Sequence, residues 1–87
     1  MRSPVHLTIL SRKDCHLCEV AHRMALHLQS ELPIEVRLVD VDGDDRLREL
    51  YGTRVPVILL NDIEQCYGNV TEEELRRAIK KRGGEDR

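Results

Sequence analysis

Eighty-seven residues, 34% of them charged and 40% hydrophobic, suffice for one small core and leave no room for a second domain. A formal charge of −2, with two tyrosines and neither phenylalanine nor tryptophan, argues against a basic nucleic-acid surface with interleaved stacking platforms. No apolar run approaches the roughly 18 residues that read as a membrane span, and three cysteines are too few for a disulfide scaffold, so the expectation is a soluble, cytoplasmic monomer with no nucleic-acid or membrane partner.

In chain order, Met1-Arg2-Ser3-Pro4 leads straight into a strand pattern, Val5, Leu7 and Ile9 alternating with His6 and Thr8 up to Leu10. The Ser11-Arg12-Lys13-Asp14 loop ends it, and Cys15-His16-Leu17-Cys18 stands where the strand pattern gives way to a helical one. Leu17, Val20, Ala21, Met24, Ala25 and Leu28 form one apolar stripe on a helix that runs to Leu32 and is closed by Pro33. His16, Glu19, His22, Arg23 and His27 occupy its outer face. Ile34, Val36, Leu38, Val39 and Val41 make a second strand, and strand–helix–strand predicts parallel pairing with a right-handed crossover.

Asp44-Asp45 opens a short helix through Tyr51, with Leu47 and Leu50 facing inward and Gly52 as its C-terminal cap. Val55-Pro56-Val57-Ile58-Leu59-Leu60 reads as a buried central strand, and Asn61-Asp62 turns the chain into a last strand around Gln65 to Tyr67. Thr71 and Glu74 form a capping box for a final helix with Leu75, Ala78 and Ile79 toward the sheet. Glutamates 72–74 at its start and the basic residues Arg76, Arg77, Lys80, Lys81 and Arg82 toward its end suit a helix dipole better than a nucleic-acid patch. Gly83 to Arg87 is expected to be a frayed tail.

The chemistry centres on the C-x-x-C. Residues i and i+3 of a helix lie about 5–6 Å apart, within the Cα range of a disulfide, so Cys15 and Cys18 can bond without unwinding the chain. Unpaired N–H groups and the positive end of the helix dipole favour an anion over Cys15, making it the nucleophile and Cys18 the resolving thiol. His16 between them favours thiolate when protonated, as do Arg12 and Lys13, while Asp14 opposes it. A metal or iron–sulfur site is an alternative use of the pair, with Cys66 and scattered histidines as further ligands. Cys66 itself reads as a small buried hydrophobe. Asp40, Asp42, Asp44 and Asp45 fail the calcium-loop spacing and read as solvated loop carboxylates with a helix cap.

The order β-α-β-α-β-β-α, with C-x-x-C opening the first helix and Tyr51-Gly52-Thr53-Arg54-Val55-Pro56 leading into the third strand, resembles the thioredoxin superfamily. The compact size and the Ser11–Glu19 opening are similar to its small glutaredoxin-like domain proteins. The resemblance implies a three-layer α/β/α fold with a four-stranded mixed sheet. It also implies a cis Val55–Pro56 bond facing the cysteines, with the Val55 backbone free to pair with a substrate chain. Arg12 would assist the thiolate or bind a glutathione carboxylate.

Departures from the family patterns are clear in the residues. Asp14 and Ile9 stand where thioredoxins carry a tryptophan and a buried carboxylate. His16-Leu17 and Tyr67-Gly68-Asn69-Val70-Thr71 stand where glutaredoxins carry Pro-Tyr and a Gly-Gly with an acidic pair. The activity so expected is thiol–disulfide exchange on protein or small-molecule disulfides through Cys15 and Cys18, with Arg12, His16, Val55 and Pro56 as substrate contacts. No tightly bound cofactor is required, and glutathione or a reductase is the candidate electron donor. The alternative from another class is a non-catalytic module that presents the Val55-Pro56 edge to a partner.

Overall fold

The computed structural model describes residues 4–84. Its elements are β1 (Val5–Ser11), α1 (His16–Gln29), β2 (Ile34–Asp40), a 3-10 turn (Val41–Gly43), α2 (Asp45–Tyr51), β3 (Val57–Leu60), β4 (Ile63–Tyr67) and α3 (Glu72–Gly84). They form a thioredoxin-like sheet of order β2-β1-β3-β4, with β1 parallel to β2 and antiparallel to β3, and β4 antiparallel to β3. The hairpin loop is Asn61-Asp62, whose φ values of 50° and 67° are the two positive angles a tight hairpin turn demands.

Strand alternation divides the core in two. Leu7, Ile9, Ile58 and Leu60 meet Ala21, Ala25 and Leu28 of α1 and Leu75 and Ile79 of α3 on one face. Leu10 and Val57 meet Val41, Leu47 and Tyr51 on the other. The first cluster is the larger, and each fully buried leucine in it, such as Leu28, contributes about 1.5–3 kcal/mol of transfer free energy.

Several expected boundaries shift for local reasons. The first helix ends at Gln29 rather than Leu32, because the Ser30 N–H bonds the His27 and Leu28 carbonyls and its Oγ donates to His27 O at 2.6 Å. Leu32 still packs on the core from the following turn, which is why the apolar period runs on. Leu50 does not face inward but is 54% exposed; the seven-residue α2 turns Leu47 and Tyr51, one turn apart, to the sheet. Gly52 caps α2 with an ordinary φ of −55°, and its lack of a side chain serves space: an added Cβ would lie 2.5 Å from the Arg48 carbonyl oxygen. Val55 and Pro56 precede the third strand instead of opening it. α3 runs to Gly84; the rest of the expected tail, residues 85–87, lies outside the described residues, as do residues 1–3.

Candidate functional site

Cys15 is the N-cap of α1, and its extended backbone (φ −104°, ψ 103°) lets Sγ turn back to accept the Cys18 N–H at 3.2 Å. Asp14 just before it has φ 58°, a left-handed conformation that aspartate tolerates, and it redirects the chain from the β1 loop into the helix. Cys15 and Cys18 are joined by a disulfide with Cα atoms 5.2 Å apart. Cys15 is half-buried, whereas Cys18, one turn inside, is buried. The more accessible sulfur of the pair is therefore the one at the helix end, where a backbone N–H donates to it.

Pairing of Leu10 with Val57 brings the start of β3 to the same end of the sheet, so Pro56 stands beside the cysteine loop. The Val55–Pro56 bond is cis. The Pro56 carbonyl accepts the Gly68 N–H at 2.8 Å, and the Val55 backbone forms no hydrogen bond among the described residues. His16 points outward, its Nδ1 4.0 Å from Glu19 Oε2.

Arg12 is held elsewhere. Its Nε and Nη2 donate to the two carboxylate oxygens of Asp42 at 3.1 and 3.0 Å, and Nη1 donates to Gly52 O at 3.3 Å. The hydrogen bonding to Asp42, then the Asp42 charge, raises its pKa above the ordinary arginine value. The guanidinium fork thus ties the loop before Cys15 to the 3-10 turn and the end of α2. Asp42 is accordingly not a free loop carboxylate. Of its neighbours, Asp44 caps α2 as expected, Asp40 caps the 3-10 turn and Asp45 pairs with Arg48.

Two features were not visible in the sequence. Arg54 lies between the only two tyrosine rings of the chain, 5.3 Å from the Tyr51 centroid and 5.2 Å from that of Tyr67, and pairs with Glu64 at 2.9 Å. The available signals were the Tyr51–Arg54 spacing and the scarcity of aromatics. The second is a pocket of about 290 Å³ on the flank of Cys15, lined by residues 11–15 together with Cys18, Glu19, His22 and Leu38. His22, expected on a solvated face, is half-buried there.

Cys66 is free and half-buried in β4; burial first, and the Glu74 and Glu64 charges next, push its thiol pKa up. Among the described residues no group of three or more His, Cys, Asp or Glu side chains is arranged to hold a metal, and no helix is long and apolar enough to cross a membrane.

A strand-to-helix cysteine pair beside a cis-proline on a sheet of this order coincides with a match of residues 6–80 to the family described as "Glutaredoxin-like domain (DUF836)". The chain belongs to this glutaredoxin-like family. An uncharacterised protein of Mycobacterium tuberculosis is 39% identical over 77 residues, covering 82% of this chain and 78% of that one. Among solved structures, protein Ne2328 of Nitrosomonas europaea superimposes with TM-score 0.77 at 28% identity, covering 91% of this glutaredoxin-like chain and 95% of its own. A single-residue mutant of thioredoxin from Halobacterium salinarum gives TM-score 0.72 at 24% identity over 91% and 74% of the two chains, a likeness of fold.

Proposed function

We propose that this glutaredoxin-like domain is a thiol–disulfide oxidoreductase. The observation that carries the reading is the asymmetry of the bonded pair: an accessible Cys15 whose sulfur accepts a helix N–H, and a buried Cys18 one turn behind it. In the reduced protein the Cys15 thiolate attacks one sulfur of a substrate disulfide, forming a mixed disulfide and expelling the other sulfur as a thiolate that takes up a proton. Cys18, deprotonated, then attacks the Cys15 sulfur and expels the second substrate thiol. Two electrons have passed to the substrate, and the Cys15–Cys18 disulfide remains to be reduced by a dithiol or by two molecules of a monothiol donor, glutathione being a candidate. The same steps in reverse oxidise a substrate dithiol.

The Val55 backbone, without a hydrogen bond among the described residues and at the same end of the sheet as the cysteine loop, offers the substrate a strand to pair with. Mass spectrometry of two variants incubated with a disulfide peptide tests the reading. Cys18→Ser should accumulate a mixed disulfide on Cys15, and Cys15→Ser should form none. Equal adducts on Cys18 in the latter would reverse the assignment. Absence of adducts in both would leave the non-catalytic module as the better account.

A further inference from the structure

We infer that the open edge of β2 beside the disulfide is a docking site for an extended, cysteine-bearing peptide segment, with Leu38 and Lys13 as its apolar and charged contacts. The inference rests on the oxidoreductase reading for its cysteine-bearing occupant. It concerns the flank of β1 opposite to the Val55–Pro56 edge, since β2 and β3 lie on either side of β1.

The backbone of β2 shows which groups are unpartnered. Alternate residues of a strand turn their N–H and C=O to opposite edges. Val39 accepts the Ser11 hydroxyl of β1 at 3.4 Å, so its set faces inward, while Val36 N–H bonds the Gln29 side chain at 3.0 Å, so Val36, Leu38 and Asp40 face out. Gln29 covers the edge at Val36; among the described residues no side chain does so at Leu38 or Asp40. An uncovered edge is a template for another strand, and its open half is the half beside the cysteines.

Side chains along the same stretch fit that occupant. Ile34 is buried and Val36 packs on the core, yet Leu38, on the same face, is 48% exposed. Leu38 walls the pocket that Cys15 and Cys18 line. Ser11, Arg12, Lys13 and Leu38 also line an adjoining depression of about 280 Å³ that reaches Asp40, so the groove runs from the sulfurs along the strand end. Arg12 is committed to Asp42 and Gly52, and Lys13 forms no ion pair among the described residues. Of the carboxylates, Asp14 and Glu19 line only the part nearest the sulfurs, and Asp40, at the far end, accepts the Asp42 N–H at 2.9 Å; Lys13 lines both parts. The complementary segment therefore carries its cysteine at the disulfide, an apolar side chain on Leu38 and an acidic one at Lys13. A small disulfide would use neither the strand edge nor Lys13.

Two measurements separate docking from chemistry. In the first, the full oxidised chain, labelled with ¹⁵N, is titrated with the blocked peptide Glu-Thr-Val-Thr-Ser, in which serine replaces cysteine and the acidic, apolar and serine side chains share one face of the strand. Saturable amide shifts are expected at Lys13, Leu38 and Asp40, with about tenfold weaker binding in Leu38→Asp, the effect of losing roughly half of one leucine's burial. Lys13→Glu should also weaken it and keeps the test available if Leu38→Asp fails to fold. Shifts confined to Val55–Val57, or no saturation, overturn the proposal.

In the second, the disulfide dimer of Glu-Thr-Val-Thr-Cys is compared with hydroxyethyl disulfide as substrate of the reduced protein. Leu38→Ala, which adds no charge beside the sulfurs, should lower kcat/KM for the peptide about tenfold more than it lowers kcat/KM for hydroxyethyl disulfide. Equal loss on both substrates overturns the docking role. If the wild-type chain exchanges with neither, the oxidoreductase reading fails, and the titration still decides the docking site.

Discussion

Removing the Arg54 guanidinium should show how the segment ahead of Pro56 is held. The group stacks at 5.3 and 5.2 Å from two ring centroids, pairs with Glu64 at 2.9 Å and donates to Leu50 O at 3.5 Å. It thereby fastens the end of α2 to β4. Arg54→Met keeps the stem and deletes the charge. Each cation–π contact at an exposed site contributes about 0.5–1 kcal/mol, and an ion pair about one-third exposed contributes about 0.2–1 kcal/mol after screening. The expected loss is about 1–3 kcal/mol, or a Tm lower by about 4–8 °C per kcal/mol for a domain of this size. Urea unfolding followed by circular dichroism measures it, with the m-value unchanged if only the native state is affected. Double-mutant cycles with Tyr67→Leu and Glu64→Gln apportion it, and high salt should diminish only the Glu64 coupling strongly. A loss below about 0.3 kcal/mol, within the usual scatter of surface substitutions, would refute the clamp.

Two further outcomes follow from the same kind of reading. Cys66, its thiol pKa raised chiefly by burial and then by Glu74 and Glu64, should react with iodoacetamide at neutral pH at least about tenfold more slowly than Cys15 of the reduced protein; equal rates would show that it is neither shielded nor held as thiol. Glu31 is held below the usual carboxylate pKa by its hydrogen bond to Arg76 at 2.8 Å and then by the Arg76 charge. A depressed folded-state pKa contributes stability that is present above the unfolded value of about 4.3 and lost as pH falls through the lower folded value. Glu31→Gln should therefore be less stable than wild type at neutral pH, with the two unfolding curves converging in strong acid. A gap that stays constant with pH would contradict the sign.

How far these features were legible depended on distance along the chain. Strand alternation from Val5 to Leu10, the stripe from Leu17 to Leu28 and the Thr71–Glu74 box are local, and each marked its element; the box forms with Glu74 N–H to Thr71 Oγ1 at 3.1 Å. The cysteine pair was legible for the same reason. Arg12 and Asp42 are 30 residues apart, and nothing near Arg12 announces a carboxylate from the turn after β2. Tyr67 and Glu64 reach Arg54 only because β4 folds back on β3. Leu38 illustrates the deeper reason. An aliphatic residue in a strand pattern reads as core, and its exposure follows only from the sheet order that puts β2 at an edge. Local pattern specifies how many strands there are and which way their side chains alternate; it carries no statement of which strand lies outermost. A surface built from an edge strand and an active-site loop is therefore the kind of feature that sequence conceals and architecture reveals: Leu38 and Lys13 were correctly assigned to strand and loop, whereas Ser11 and Asp40, read as loop residues, are the last residues of β1 and β2.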